Sequence, residues 1–133
     1  MAGTIVLDAI TDGTGNTVSG STVVNGSAKA WVNFNGTGTV AIRSSFNVSS
    51  ITDNGTGDYT VNFTTAMPNI DYVITGAQGD TGTPNGAGMF ATNRVGSTGV
   101  ENNPTTTACR VNTTNSSGNV RDNTYVYVAI FSS

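Results

Sequence analysis

The chain contains no histidine, one cysteine and one glutamate, and this scarcity of reactive side chains excludes most common catalytic sites. Without histidine, a serine or cysteine nucleophile has no imidazole base beside it, and the commonest metal ligand is missing. Cys109 has no second cysteine to pair with, so we expect no internal disulfide. We therefore expect a protein that is not an enzyme and that holds no cofactor or metal ion.

Charged residues are also scarce, at 10% of the chain, and the formal net charge is -3. Five lysines and arginines are too few for the basic surface of a nucleic-acid-binding protein, so nucleic acid is not an expected partner. No apolar run approaches the length of a membrane span, and the N-terminus lacks the cationic start of a secretory signal. Membrane insertion is therefore not expected.

Glycine, asparagine, threonine and serine make up half of the sequence, and 22 valines and isoleucines stand against the single leucine Leu7. β-branched residues favour strands, whereas Gly and Asn favour the turns between strands. Apolar residues recur at every second position and not at helical spacing, so no helix is expected. The sequence predicts an all-β fold: an antiparallel β-sandwich, jelly-roll-like, of about eight short strands with an N-terminal β arm.

Alternating apolar residues define the expected strands. They lie at 4–10, 29–35, 39–46, 59–64, 70–77, 105–113 and 124–131, with weaker strands at 23–24 and 89–91. Two Asn-Gly-Thr-Gly segments, at 35–38 and 54–57, predict hairpin turns between neighbouring strands. Phe46 follows the same alternation as Val40 and Ile42, so we expect it to point into the core.

The chain divides into an N-terminal arm, residues 1–27, and a single sandwich domain, residues 28–133. The arm is mostly polar and has only brief apolar stretches, which suits attachment or assembly better than a core. The strand at 124–131 is apolar on both faces, and such a strand is usually covered on both sides. One face can enter the sandwich core, and a second copy of the chain is the simplest cover for the other.

Candidate contact residues lie on one strand and in two loops. Trp31 shares a strand face with polar residues, where it either packs at a subunit contact or under a loop, or stacks on a sugar ring. The loop at 79–88 and the loop at 96–104 are further candidate recognition surfaces. The candidate contacts for a ligand or partner are Trp31, Asp80, Thr81, Asn85, Asn102 and Asn103.

Acidic residues suggest two further kinds of site, a calcium site and a catalytic carboxylate pair, for which the sequence signal is weaker. The segment from Asp53 to Asp58 has oxygen ligands for calcium but lacks an acidic cluster and a closing glutamate, so a plain hairpin turn is favoured. Asp58 and Asp71 border strands and are the carboxylates that could meet across a ladder as a glycosidase pair, although solvated turn acids are the simpler interpretation. Cys109 has no histidine partner and is expected to be a small buried hydrophobic residue.

Several runs resemble small virion proteins of marine tailed bacteriophages, which are described as tail-fibre or structural proteins. The runs at 28–37 and 42–51 resemble a segment of these proteins, and the first is fairly specific to the group. The run at 59–68 resembles the strand and turn of trimeric tail-fibre knob domains, and residues 3–16 resemble repeated N-terminal pieces. The resemblance covers most of residues 1–77 and then fades.

This resemblance implies a homotrimer on the virion exterior, at the tail or the capsid surface, made in the host cytoplasm. Residues 1–25 would contact other virion proteins or other protomers, and the loops would meet a host surface glycan or protein. The chain is too short to carry its own fibre shaft, so a capsid decoration protein is a second interpretation. A carbohydrate-binding lectin-like module outside any virion is a third.

Overall fold

A computed structural model describes residue 3, residues 6–81, the backbone of residues 90–92 and residues 104–133. These residues form an antiparallel β-sandwich, which confirms the predicted fold class. Their helix and strands are β1 (Ala9–Thr11), β2 (Thr17–Ser19), α1 (Gly20–Gly26), β3 (Ala30–Asn35), β4 (Ala41–Phe46), β5 (Val48–Gly55), β6 (Asp58–Phe63), β7 (Val73–Gly79), β8 (Phe90–Thr92), β9 (Ala108–Thr113) and β10 (Tyr125–Phe131).

Two four-stranded sheets make the sandwich, and every pairing within them is antiparallel. The first sheet has the order β4-β3-β10-β7, and the second has the order β5-β6-β9-β8. The two Asn-Gly-Thr-Gly segments lie between β3 and β4 and at the end of β5, where Gly38 and Gly57 take positive φ angles of 62° and 63°. Both hairpin predictions are thus confirmed, because glycine supplies the left-handed backbone that these turns need.

The core lies between the sheets and is built from alternate residues of both. The first sheet contributes its inward side chains from β3 and β10, and the second contributes those of β6 and β9. Phe34 and Tyr59 meet edge to face across the core with ring centroids 5.1 Å apart. Cys109 is 2% exposed, as predicted for a buried hydrophobic residue. Burial of these side chains is the main term that holds the sheets together.

Asn47 turns the chain from the first sheet into the second. It lies between β4 and β5 and has a φ of 55°, a left-handed conformation that asparagine tolerates better than most residues. Its amide donates to the carbonyls of Lys29 and Thr65, at 3.0 and 3.2 Å, and its Oδ1 accepts from the Thr65 backbone at 2.7 Å. The corner is thereby tied to both sheets.

A β-bulge corrects the predicted orientation of Phe46. Phe34 pairs with Ile42, but the preceding residue Asn33 pairs with Ser44, so Arg43 is an extra residue on β4. The extra residue shifts the alternation, since two residues of β4 now face one of β3. Phe46 therefore lies opposite Trp31 and is 55% exposed on the outer face, so the prediction that it enters the core is wrong.

The arm forms a two-stranded sheet of its own, in which β1 pairs with β2. Asp12 closes the turn between them: its carboxylate accepts from the backbone of Thr14 and Asn16 at 2.8 and 2.9 Å and from both of their side chains. These hydrogen bonds, that from the Asn16 side chain first, lower the pKa of Asp12 below its usual range. The first strand begins at Ala9, later than the predicted strand at 4–10, part of which lies outside the described residues.

The prediction that the chain contains no helix is wrong, as is the predicted brief strand at Val23 and Val24. Both valines lie in α1, which follows β2 directly. Ser19 caps this helix by accepting from the Thr22 backbone at 3.1 Å, and Ser27 Oγ donates to the Val23 carbonyl at 2.5 Å at the other end. Serine caps at both ends offset the low helix propensity of β-branched residues.

Candidate functional site

The outer face of the first sheet carries large apolar side chains that the described residues leave exposed. Trp31, Phe46, Val73 and Tyr127 are between 40% and 62% exposed there. We call this surface the aromatic sheet face and define it by these four residues together with Ala129. It exists because β10 alternates: Val126, Val128 and Ile130 fill the core, so the residues between them must point outward.

Strand register brings these side chains into rows across the sheet. Trp31 lies opposite Phe46 on β4 and opposite Ala129 on β10, and Ala129 lies opposite Thr75 on β7. In the next row, Tyr127 lies between Asn33 and Ala77. Directly opposed residues on one sheet face are in contact range, so the apolar surface is continuous.

A groove of about 530 Å³ lies on the aromatic sheet face between the rings of Trp31 and Tyr127. The small side chains of Thr75, Ala77 and Ala129 line it together with these rings, and Asn33 adds an amide. The groove is almost wholly apolar, apart from a few side-chain groups capable of hydrogen bonding. Such a surface suits an apolar partner segment or the flat face of a sugar ring.

The charged side chain that lies over this face is that of Arg43, whereas Asp71 and Asp80 lie just beyond the two ends of β7. Arg43 lies over the ring of Tyr125, 4.6 Å from its centroid, and that ring stacks on Tyr127 with centroids 6.3 Å apart. None of the four strands of the first sheet contains aspartate or glutamate. The interaction between the guanidinium and the aromatic ring holds Arg43 on the sheet and does not neutralise its charge.

The outer face of the second sheet is different in kind. Asn62 donates to the hydroxyls of Ser50 and Thr52, at 3.1 and 3.0 Å. Arg110 and Asp58 form an ion pair in which Nε donates to Oδ1 at 2.6 Å, and the Asp58 carboxylate raises the pKa of Arg110. The side chains of these residues form hydrogen bonds with one another, and a polar surface of this kind is suited to contact with water. The two outer faces of one sandwich therefore differ, and only the first presents a large apolar surface among the described residues.

The arm is the second apolar surface. None of the residues of β1, β2 or α1 is buried, and its exposed large apolar residues are Val6, Leu7, Ile10, Val18, Val23 and Val24, at 41–85% exposure. A two-stranded hairpin and a two-turn helix are marginal in water without a packing partner. The arm thus has hydrophobic side chains that the rest of the described structure does not bury.

Two of the predicted contact residues, Trp31 and Asp80, lie at opposite ends of β10. Trp31 lies on the aromatic sheet face opposite Ala129, whereas Asp80 follows Gly79, which pairs with Tyr125 at the other end of β10. Asp80 forms an ion pair with Arg121 and accepts from Thr124 Oγ1 at 2.7 Å, so it joins the start of its loop to the segment before β10. Thr81 is exposed, and Asn85, Asn102 and Asn103 lie outside the described residues.

The aspartates of the candidate calcium turn and of the candidate glycosidase pair do not share partners. Asp53 accepts from the backbone of Gly55 at 2.9 Å, while Asp58 faces Arg110, so the two carboxylates of the candidate calcium turn have different partners. Asp58 lies opposite Asn112, and Asp71 belongs to the connection before β7 of the other sheet. Within the part of the chain that the structure describes, no three His, Cys, Asp or Glu side chains are grouped so that they could hold a metal ion.

Sequence reasoning identified Trp31 but missed the surface around it. The pattern at 124–131 predicts only that the strand is apolar on both faces, and the alternation at 39–46 predicts that Phe46 enters the core. The signal for a shared surface was present in Trp31 and the outward residues of 124–131, but joining them required the β3–β10 register. The bulge at Arg43 gave no sequence signal of its own.

No family model, curated protein or solved structure matches the chain. Among the described residues, no helix is long and apolar enough to cross a membrane, and α1 has seven residues.

Proposed function

We propose that the chain is a structural protein of a bacteriophage particle, a trimeric tail-fibre or knob-type module on the virion exterior that takes part in host attachment. The observation that carries the proposal is the asymmetry of the sandwich: one outer face is polar and internally hydrogen-bonded, and the other is aromatic and exposed. The phage setting is supported by the resemblance of residues 1–77 to small virion proteins. The role is one of assembly and binding, without catalysis.

The aromatic sheet face has the composition of a subunit interface. Interface centres are enriched in Trp, Tyr and Phe and depleted of carboxylates, and these are the features of the first sheet. An exposed apolar patch of this kind on a soluble protein marks a surface that another molecule covers. A homotrimer would bury one such face in each protomer, which agrees with a last strand apolar on both sides.

The test is the mass of the chain in solution over a range of concentrations, measured by sedimentation equilibrium. We expect a trimer, and we expect Trp31→Asp to shift the equilibrium toward the monomer because the interface would then contain an unpaired carboxylate. Ile70→Asp is the matched control, since Ile70 is 54% exposed but lies outside the aromatic sheet face. A chain that stays monomeric at every concentration would remove the proposed assembly.

Capsid decoration is the second candidate, and the arm favours it, because an arm with no buried residue in β1, β2 or α1 suits clamping onto neighbouring capsid subunits. Copy number separates the two roles. A tail or fibre protein is present in a few to a few dozen copies per particle, and a decoration protein in hundreds. Quantitative mass spectrometry of purified particles containing the chain, scaled to the major capsid protein, gives this number.

Carbohydrate binding is the third candidate, and the groove between Trp31 and Tyr127 favours it. Aromatic rings stack on sugar faces, and the Asn33 amide lies beside them. A glycan array would show binding that Trp31→Ala abolishes and that Phe46→Ala retains, since Phe46 does not line the groove. Loss of binding in both variants, or binding by neither parent nor variant, would count against a sugar site in this groove.

A further inference from the structure

The described residues leave two apolar surfaces exposed, and these surfaces differ in charge. The arm carries Asp8 and Asp12 and has no lysine or arginine within residues 1–27, although the Lys29 side chain lies at the end of its helix. Hydrogen bonds keep Asp12 ionised. The aromatic sheet face has Arg43 beside it and no carboxylate on any of its strands. Opposite charge beside matching apolar surfaces is the arrangement that steers two surfaces together.

The size of the arm also fits. A stable protein interface takes about 20–30 residues from each side. The hairpin and helix span the 18 residues from Ala9 to Gly26, and with the described residues 6–8 the arm reaches the lower end of that range; none of the residues of β1, β2 or α1 is buried. The groove beside Trp31 offers about 530 Å³ for its valine, leucine and isoleucine side chains.

The connection between the arm and the sandwich is short, which argues against the arm folding back on its own sheet. Only Ser27, Ala28 and Lys29 separate α1 from β3. Ser27 has an extended backbone, and the side chain of Lys29 donates to the carbonyl of Val24, so the end of the helix is held to the link. Held in this way, the arm leaves the aromatic sheet face of its own protomer exposed.

We propose that the arm of one protomer lies on the aromatic sheet face of a second copy, with its apolar side chains in the groove between Trp31 and Tyr127. The contact joins two different surfaces, so each protomer gives an arm and receives one, and the ring closes when the last arm reaches the first face. This inference rests on the proposed homotrimer and adds which surfaces meet. Both surfaces become buried in one interface, and Asp8 or Asp12 approaches Arg43.

Trp31 is the single tryptophan of the chain, so its fluorescence reports directly on the aromatic sheet face. In the full-length chain we expect a trimer with Trp31 shielded from acrylamide. Val24→Asp, in the arm, and Trp31→Asp, on the face, should each lower the association constant by at least about tenfold. Val24→Asp should also raise the quenching of Trp31 several-fold. Ile70→Asp is the matched control, since its exposure is similar and it lies outside both surfaces.

Mixing the two variants distinguishes exchange from folding back. The Val24→Asp chain has an intact face and the only tryptophan, whereas the Trp31→Asp chain has an intact arm and no tryptophan. On mixing, we expect a mixed complex in which Trp31 regains its protection. Circular dichroism of each variant checks its fold, and Val73→Asp, read by mass, replaces Trp31→Asp if that variant does not fold.

Three results would contradict the proposed exchange of arms, and they have different consequences for the proposed trimer. A trimer whose mass and Trp31 quenching are unchanged by Val24→Asp would show that another surface covers the face, and the proposed assembly would survive. A monomer in which Val24→Asp alone exposes Trp31 would show that the arm folds on its own sheet. A monomer with Trp31 freely quenched would remove both the exchange and the trimer.

Discussion

The Tyr59 hydroxyl joins three parts of the fold at one point in the core. It lies 2.8 Å from the Gly36 carbonyl in the first hairpin and 2.8 Å from Oδ1 of Asp122, just before β10. The same carboxylate oxygen accepts from the Gly57 backbone at 2.6 Å. Burial, followed by the Asp122 carboxylate, raises the pKa of Tyr59, so the phenol stays protonated and remains a donor.

We expect Tyr59→Phe to lower the free energy of unfolding by about 2 kcal/mol, the usual contribution of a hydrogen bond to a charged acceptor. The ring still fills its place, so the loss measures the hydroxyl. Tyr125→Phe is the matched control and should change stability little, since Tyr125 does not line the groove and its hydroxyl makes no hydrogen bond within the described structure. Urea unfolding gives both values, and equal losses in the two variants would contradict this role of Tyr59.

Cys109 is a buried thiol that burial makes a poor nucleophile. It is 2% exposed, and burial raises its pKa to about 12 from an ordinary 9.0. Because the thiolate is the reactive form, we expect iodoacetamide at pH 8 to leave the folded protein unmodified and to label it fully in denaturant. The folded-state pKa is raised, so the neutral thiol stabilises the fold below pH 9 and this contribution is lost at higher pH. Rapid labelling of the folded chain would contradict the burial of Cys109.

At the scale of elements, the turn before β6 is fixed by its surroundings as well as by its backbone. Gly57 has a φ of 63°, and a Cβ there would lie 2.5 Å from the Thr113 carbonyl oxygen and 2.6 Å from the Arg121 nitrogen. Gly38, in the first hairpin, has a φ of 62° and no atom within 4 Å of such a Cβ. A substitution at Gly38 therefore tests backbone strain alone, whereas a substitution at Gly57 tests backbone strain together with steric overlap.

We expect Gly38→Ala to cost about 1–2 kcal/mol, which is the penalty for a side chain in the left-handed region. Gly57→Ala should cost at least about 2 kcal/mol more, because the overlapping atoms are backbone and must move. Thermal and urea unfolding of the two variants measure the difference. Similar losses at both positions would show that the segments around Thr113 and Arg121 can shift at little cost.

The strands could be predicted because their pattern is local, and the helix could not. Alternation and Asn-Gly turns lie within a few residues and gave the hairpins of β3 with β4 and of β5 with β6. Val23 and Val24 have β-branched side chains, which favour strands. They are nevertheless helical because serines cap both ends of the segment, and the effect of these caps depends on the three-dimensional structure at those ends. β9 begins at Ala108 and not at 105 as predicted, because residues 105–108 form a turn in which the Thr105 hydroxyl accepts a hydrogen bond from the Ala108 backbone at 3.0 Å.

The candidate site was predictable only in part, since it depends on register. Trp31 and the outward side chains of the last strand each carried a signal, yet 98 residues of sequence separate Trp31 from its neighbour Ala129. The exposure of Phe46 depends on one extra residue in β4, which shifts the alternation after Ile42. A contact between distant strands and a one-residue bulge lie beyond what local periodicity reports.

At the scale of the whole molecule, the described residues leave two apolar surfaces exposed: the arm and the aromatic sheet face. Leu, Ile, Val and Phe total only 28 of 133 residues, and many of the large apolar ones are exposed on the arm and the aromatic sheet face. In the proposed assembly, burial of these side chains would add to the stability of the single sandwich. The stability of the fold should then depend on protein concentration.

We therefore expect the Tm to rise by roughly 5–10 °C for a hundredfold increase in protein concentration, because binding of a partner that recognises only the folded state stabilises it by mass action. Trp31→Asp should remove most of this dependence, and Ile70→Asp, at a similarly exposed position outside the aromatic sheet face, should keep it. Calorimetry of the three chains over that concentration range measures the slopes. The slope for the parent chain must exceed that for Trp31→Asp, since an isolated sandwich with a complete core would unfold at the same temperature at every concentration.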